Sequence, residues 1–272
     1  MKRLLLILLI LFFIPIFQAN ATTPIKILLV PGHDNDISGA QYGNIKEADM
    51  NLNLATRIYN ILRKDKRFEV HITRKIGGYT KEFEDYFSLH DDEIVAFQES
   101  SKKKQEDNIT NGSFIEKENP PHNKASEDMA IKLYGINKWA NDNKMSAVIH
   151  IHFNDYPRLD KWTKGKYKGF AIYTPDTQMI NWVGSGEIAS KIFTQLKKKY
   201  AISNYEKESS GIVHDQSLIA LGSNGTLIES VRSILIEYGY IYRFPTKKTR
   251  FTAYTNMTNL TVTGIKNYFF KK

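Results

Sequence analysis

Apolar and polar positions along the chain alternate between two periods. Residues 25–30 (IKILLV) form a short, partly β-branched apolar run closed by Pro31 and Gly32, which reads as a buried strand entering a loop. From 47 to about 64 the period lengthens. Leu54, Ala55, Ile58 and Leu62 recur at helical spacing, while Arg57, Asn60 and Arg63 fall between them. Residues 68–73 (FEVHIT) alternate and predict a second strand, so this opening is strand, helix, strand with a crossover long enough for a parallel pair. Helical spacing returns over 127–143, with Ile131, Leu133, Ile136, Trp139 and Ala140 apolar, and again over 186–200 and 251–270. Strands are predicted at 147–153 (AVIHIHF), 170–173 (FAIY) and 234–240 (ILIEYGY). The alternation predicts a single α/β domain, a mostly parallel twisted sheet with helices on both faces, phosphorylase/hydrolase-like in layout.

Two stretches depart from this rhythm. Residues 75–124 are polar and charged, with Lys102, Lys103 and Lys104 in a row, Asn111 before Gly112, and Pro120 before Pro121. They read as an insert, looped or partly helical, and its polarity makes disorder the simplest expectation. At the other extreme, Lys2 and Arg3 precede an apolar run from Leu4 to Phe17, and Ala19, Asn20 and Ala21 follow in an A-x-A pattern. That is the layout of a secretory signal peptide over 1–21, cleaved after Ala21. The apolar core is about 14 residues, short of the roughly 18–20 that span a bilayer. Residues 22–272 then form the mature domain, with no later segment apolar enough to span. The expected location is periplasmic or extracellular, at the cell wall.

Composition narrows the chemistry. The chain has no cysteine, which excludes disulfides and a lipoprotein anchor and leaves His, Asp and Glu to hold any metal. Formal net charge is +9 for the full chain. Basic residues are scattered, so this charge suits solubility and loose attraction to anionic surfaces such as cell-wall polymers, and a nucleic-acid partner is not expected.

Several polar residues interrupt or follow the apolar strands. His33 follows the first strand, His152 lies near the end of the 147–153 strand, and Glu237 stands inside the 234–240 strand. Glu47 opens the first helix. Ligands in parallel α/β sheets gather at the carboxyl ends of strands, which lets these residues converge. Two imidazoles and a carboxylate suffice for a catalytic zinc site, and a second carboxylate can serve as general base. Each has an ordinary alternative: a loop histidine, a helix-start carboxylate favoured by the helix dipole, a core histidine. Glu237 is the hardest to read that way, because an unpaired carboxylate in an apolar strand is costly.

The motifs resemble those of the zinc N-acetylmuramoyl-L-alanine amidases of the third amidase type. Leu28 to His33 (LLVPGH) looks like the family's opening motif, and Gly39, Ala40, Gly43, Glu47, Asn51 and Leu52 look like its next. VHITR at 70–74, WAN at 139–141 with AVIHIHFN at 147–154, and LIEYGY at 235–240 follow in order, and GIKNYF at 264–269 fits the last helix. The resemblance implies Zn2+ held by His33, Glu47 and His152, and Glu237 as catalytic acid/base. It also implies peptidoglycan as substrate, cut between N-acetylmuramic acid and L-alanine of the stem peptide. Any activator protein is left unspecified.

The chain departs from the family in places. Asp34 and Asn35 stand where the family has two glycines, and Tyr242 and Arg243 where it often has Ser and Asn. His150 replaces a serine and shares a strand face with His152, so His150, like Asn154, is a candidate for supporting the site. Other wall metallopeptidase chemistry, or a non-catalytic peptidoglycan-binding protein of the same fold, are the alternatives these departures leave open.

Overall fold

The computed structural model describes residues 23–118 and 125–271. The signal-peptide expectation for 1–21 lies outside the described residues. In chain order the main elements begin with strand β1 (Ile25–Pro31), helix α1 (Glu47–Leu62), strand β2 (Phe68–Ile72), helices α2 (Lys81–Leu89), α3 (Asp91–Thr110) and α4 (Glu127–Asp142), and strand β3 (Ala147–Asn154). Strand β4 (Ala171–Pro175), helix α5 (Trp182–Leu196), strands β5 (Ile212–Asp215) and β6 (Arg232–Tyr240) and helix α6 (Lys247–Phe270) complete it.

The strands form one sheet in the order β2-β1-β3-β6-β4-β5. The first four are mutually parallel; β4 runs antiparallel to β6, and β5 lies parallel to β4. The architecture is thus α/β with a mixed, mostly parallel sheet. The α1 stripe of Leu54, Ala55, Ile58 and Leu62 packs with Ile27, Leu29, Ile149 and Ile151 on one face, together with α5 and α6. The other face carries Leu28, Val30 and Val148 against Ile136, Trp139 and Ala140 of α4 and Phe83 of α2. Each such buried aliphatic side chain contributes about 1.5–3 kcal/mol relative to exposure. Helix α6 begins at a capping box in which Thr246 Oγ1 accepts from the Thr249 amide at 3.1 Å. Among the described residues no helix is long and apolar enough to cross a membrane.

The 75–118 stretch is largely helical, as the partly helical alternative has it, rather than disordered. Of the 20 residues of α3 only Ile94 and Ser101 are buried, so the helix is nearly all solvated surface. After it, Ile115 and Lys117 are tied down by Gln178 and Gln216: Gln178 accepts from the Ile115 amide at 2.8 Å, and Gln216 from the Lys117 amide at 2.7 Å.

Candidate metal centre

The carboxyl edge of the sheet brings the predicted residues together. His33 leaves the end of β1 through Gly32, with its own backbone in the left-handed region at φ 60°. That conformation is uncommon for a residue with a side chain, and here it accompanies a contact of 3.2 Å from His33 Nε2 to Glu47 Oε2. His152 reaches the same carboxylate from β3, with Nδ1 3.1 Å from Glu47 Oε1. One ligand atom from each of His33, Glu47 and His152 lies within 4.8 Å of the other two. Two imidazole nitrogens and one carboxylate oxygen are a donor set suited to zinc, whose Zn–N and Zn–O bonds are about 2.0–2.2 Å.

Two glycines allow the close approach. A Cβ built on Gly32 would lie 2.1 Å from the His152 ring, and one on Gly39 would lie 2.4 Å from the His33 ring and 2.6 Å from Glu47 Oε2. Gly39 also sits at φ +69°, where a Cβ is disfavoured anyway.

Backbone and side chains of the surrounding shell hold Glu47. The Ala40 amide donates to Oε2 at 2.9 Å, and the Phe153 amide and Asn51 Nδ2 donate to Oε1 at 3.3 and 3.2 Å. Asn51 also donates to the Gly32 carbonyl at 3.0 Å. Arg74, buried at the end of the second-strand region, donates to the carbonyls of Pro31, Gly32 and Ala48, each at 3.2 Å. Both residues lie in sequence stretches that matched family motifs, but spacing alone did not mark them as anchors of the loop.

Electrostatics follow from this packing. Burial pushes the Glu47 carboxyl up, but the His152 and His33 imidazoles hold it well below the usual carboxylate range. Burial pulls the His33 pKa down; its hydrogen bond to Glu47 and the charges of Glu47 and Glu237 outweigh this, and the net shift is upward.

Glu237 pairs in register with His152 on the neighbouring parallel strand, so the two side chains leave the same face of the sheet. Glu237 is buried and lines a cleft of about 510 Å³ together with His33, Glu47 and His152. Asn154 lines the same cleft and donates to Glu208 Oε1 at 2.5 Å. Glu208, which sequence reasoning missed, is a buried carboxylate that also accepts from Tyr173 at 2.8 Å, Ser203 at 2.5 Å and Tyr240 at 3.0 Å. It comes from a short 3-10 turn, Glu206–Glu208, with no periodic pattern to flag it.

His150 is buried and stands apart from the three-residue cluster. Burial, aided by the charge of His152, pushes its pKa down to about 3, so it is a neutral wall residue. Asp34, which replaces a family glycine, is buried. Its Oδ1 accepts from the amides of Asp36 and Ile37 at 3.0 and 2.8 Å, and its Oδ2 from Lys132 at 2.8 Å. It therefore closes the turn after His33 and pins it to α4. Arg243 donates to the carbonyls of Gly165, Lys166 and Tyr167, and Tyr242 donates to Tyr167, so this second departure clamps the loop before β4.

These features define an α/β protein with a candidate divalent-metal centre and a buried carboxylate beside it. Residues 27–104 match the family model described as N-acetylmuramoyl-L-alanine amidase. The matched stretch runs through α2 into α3, and so takes in much of what the sequence reading set apart as an insert. Among solved structures, the N-acetylmuramoyl-L-alanine amidase from Clostridium difficile 630 is 17% identical, with 91% of this chain and 97% of that chain covered and a TM-score of 0.56. The CwlD amidase from Clostridioides difficile, in complex with the GerS lipoprotein, is 18% identical, with 90% and 98% covered and a TM-score of 0.56. The amidase Ami1 from Mycobacterium smegmatis is 13% identical, with 90% and 96% covered and a TM-score of 0.55. A search of the curated proteins finds no match. At these identities the solved structures establish a shared fold. The match over residues 27–104 agrees with the family that the motifs resemble.

Proposed function

We propose that this chain is a zinc-dependent hydrolase that cuts the amide bond between N-acetylmuramic acid and L-alanine of the peptidoglycan stem peptide. The observation that carries the reading is the approach of His33, Glu47 and His152 to within 4.8 Å of one another, with Glu237 in register beside His152. His33, Glu47 and His152 would hold the ion, and the ion would supply Lewis acidity, making a water acidic enough to attack near neutral pH.

The chain's own residues do the rest. Glu237 accepts a proton from the attacking water as the new C–O bond forms at the amide carbon. As the C–N bond breaks, the same carboxyl passes that proton to the departing nitrogen. Asn51 and Arg74 keep the Gly32 carbonyl, and with it the turn carrying His33, in place. The apolar run and A-x-A pattern at the N-terminus support export after cleavage near Ala21, which would deliver the enzyme to its wall substrate.

The test is digestion of purified muropeptides with product masses read out. Release of intact stem peptide beginning with L-alanine supports the reading. Cleavage inside the peptide would make the chain a wall endopeptidase, and no cleavage by zinc-loaded protein would leave a binding protein. Glu237→Gln is expected to retain zinc and fold while turnover falls by about 10²–10⁴-fold.

A further inference from the structure

Two cavities meet at the cluster, and their walls differ in chemistry. His33 and His152 line both. On one side is the cleft that holds Glu237, walled by Asn154, Tyr156, Tyr205 and Glu208. The Tyr156 and Tyr205 rings stand 5.4 Å apart, and Tyr167 packs against them at 4.6 and 5.0 Å. Of the three tyrosines that line the cleft, Tyr156 and Tyr205 are only partly buried, and Tyr173 is buried. On the other side, toward α4, is a pocket of about 350 Å³.

The floor of that pocket is a single rung of the sheet. Leu29 pairs with Ile72, Val30 with His150, and His150 with Leu235, so Thr73, Val30, His150 and Leu235 present side chains to the same face. Met129, Leu133 and Ile136 of α4 form one wall, and Leu218 and Ile219 the opposite one. Among the described residues no Asp, Glu, Lys or Arg lines it. The cleft, by contrast, carries the carboxylates of Glu47, Asp155, Glu208 and Glu237.

We propose that the substrate lies across the cluster in one direction. The sugar ring occupies the tyrosine-lined cleft, and the alanine methyl enters the apolar pocket. This orientation rests on the amidase reading above. Sugar hydroxyls need polar partners when they leave water, and the cleft supplies carboxylate, amide and phenol groups. The apolar face of a pyranose can lie on an aromatic ring, which Tyr156 and Tyr205 offer. The other pocket has Thr73, Tyr79, Ser126, Ser217 and His150 among mostly apolar side chains and no carboxylate, so it offers hydroxyls fewer partners, whereas a methyl group there gains from burial.

Two fragments without a scissile amide separate the sides. They are the disaccharide N-acetylglucosaminyl-N-acetylmuramic acid and an L-alanyl dipeptide, each titrated into the zinc-loaded protein by NMR. Tyr156→Ala thins the cleft wall, and Leu133→Trp fills the pocket; zinc content and circular dichroism check that both variants fold. Tyr156→Ala is expected to weaken the disaccharide by about tenfold or more and the dipeptide by less than about twofold, with Leu133→Trp doing the reverse. The opposite pattern, one variant weakening both fragments equally, or no binding of either fragment to the unmodified protein would overturn the orientation. Because neither fragment is cleaved, these outcomes are read independently of the muropeptide digestion that decides the amidase reading.

Discussion

Lys132 of α4 places its ammonium 2.8 Å from Oδ2 of Asp34, the residue immediately after His33. A helix on one face of the sheet is thereby tied to the turn that aims His33 at Glu47. Lys132→Met would leave the buried Asp34 carboxylate with backbone donors and the Tyr79 hydroxyl but without its lysine. The expected loss is about 1–3 kcal/mol of stability in chemical denaturation, with weaker zinc retention in a chelator competition. Unchanged values in both measurements would mean the turn holds itself.

The approach of Gly32 to His152 predicts a separate outcome. Gly32→Ala puts a methyl where the His152 imidazole lies, and the 2.1 Å separation cannot be absorbed without moving the ring. Zinc affinity is expected to fall by about 10–100-fold, on the scale of outer-shell disruptions. The far-UV circular dichroism should stay near that of the parent protein. Wild-type affinity in this variant would contradict the packing described.

Much of this centre was legible in the sequence because the sheet dictates it. Apolar runs fixed β1, β3 and β6, and polar residues near the ends of such runs must gather at one edge. That logic placed His33, His152 and Glu237, and the first helical residue added Glu47. Other parts left no such trace. Helix α3 turns almost every side chain to water, so it shows no apolar stripe, and its polarity left loop, disorder and partial helix undivided. Strand β5 is four residues long and escaped notice. Glu208 depends on Asn154, Tyr173, Ser203 and Tyr240, partners scattered along the chain that only the fold assembles.

Glu208 should therefore be costly to remove. Glu208→Ala strands buried hydroxyls and an amide that now donate to one carboxylate. A destabilisation of about 3 kcal/mol or more is expected by thermal or denaturant unfolding. Glu208→Gln, which keeps the shape and an acceptor, should cost less. Equal losses for the two variants would argue against the hydrogen-bond account.

A pH dependence follows from Asp176. This carboxylate is buried and pairs with Lys117, from the segment after α3. Burial raises its pKa, but Lys117 and the Gln178 amide outweigh this, and the net shift is downward. A lowered folded-state pKa stabilises above the unfolded value near 3.9 and loses that contribution as pH falls through the lower folded value. Lys117→Met should cost about 1 kcal/mol at neutral pH, since the lysine is more than half exposed and screened. The gap to the parent protein should close below about pH 4. A gap that persists unchanged to pH 2 would show that charge is not its origin.

The order of strands has a consequence for how the molecule comes into being. β6 lies between β3 and β4, yet its residues, Arg232–Tyr240, emerge from the ribosome after those of every other strand described. Until then the chain can offer only a three-stranded set, β2-β1-β3, and a pair, β4-β5, each with a bare edge where β6 would dock. Closure by one late strand joins the two pieces and delivers Glu237 to the edge that carries His33 and His152 in a single event, so a product ending before 232 would have neither a finished sheet nor Glu237.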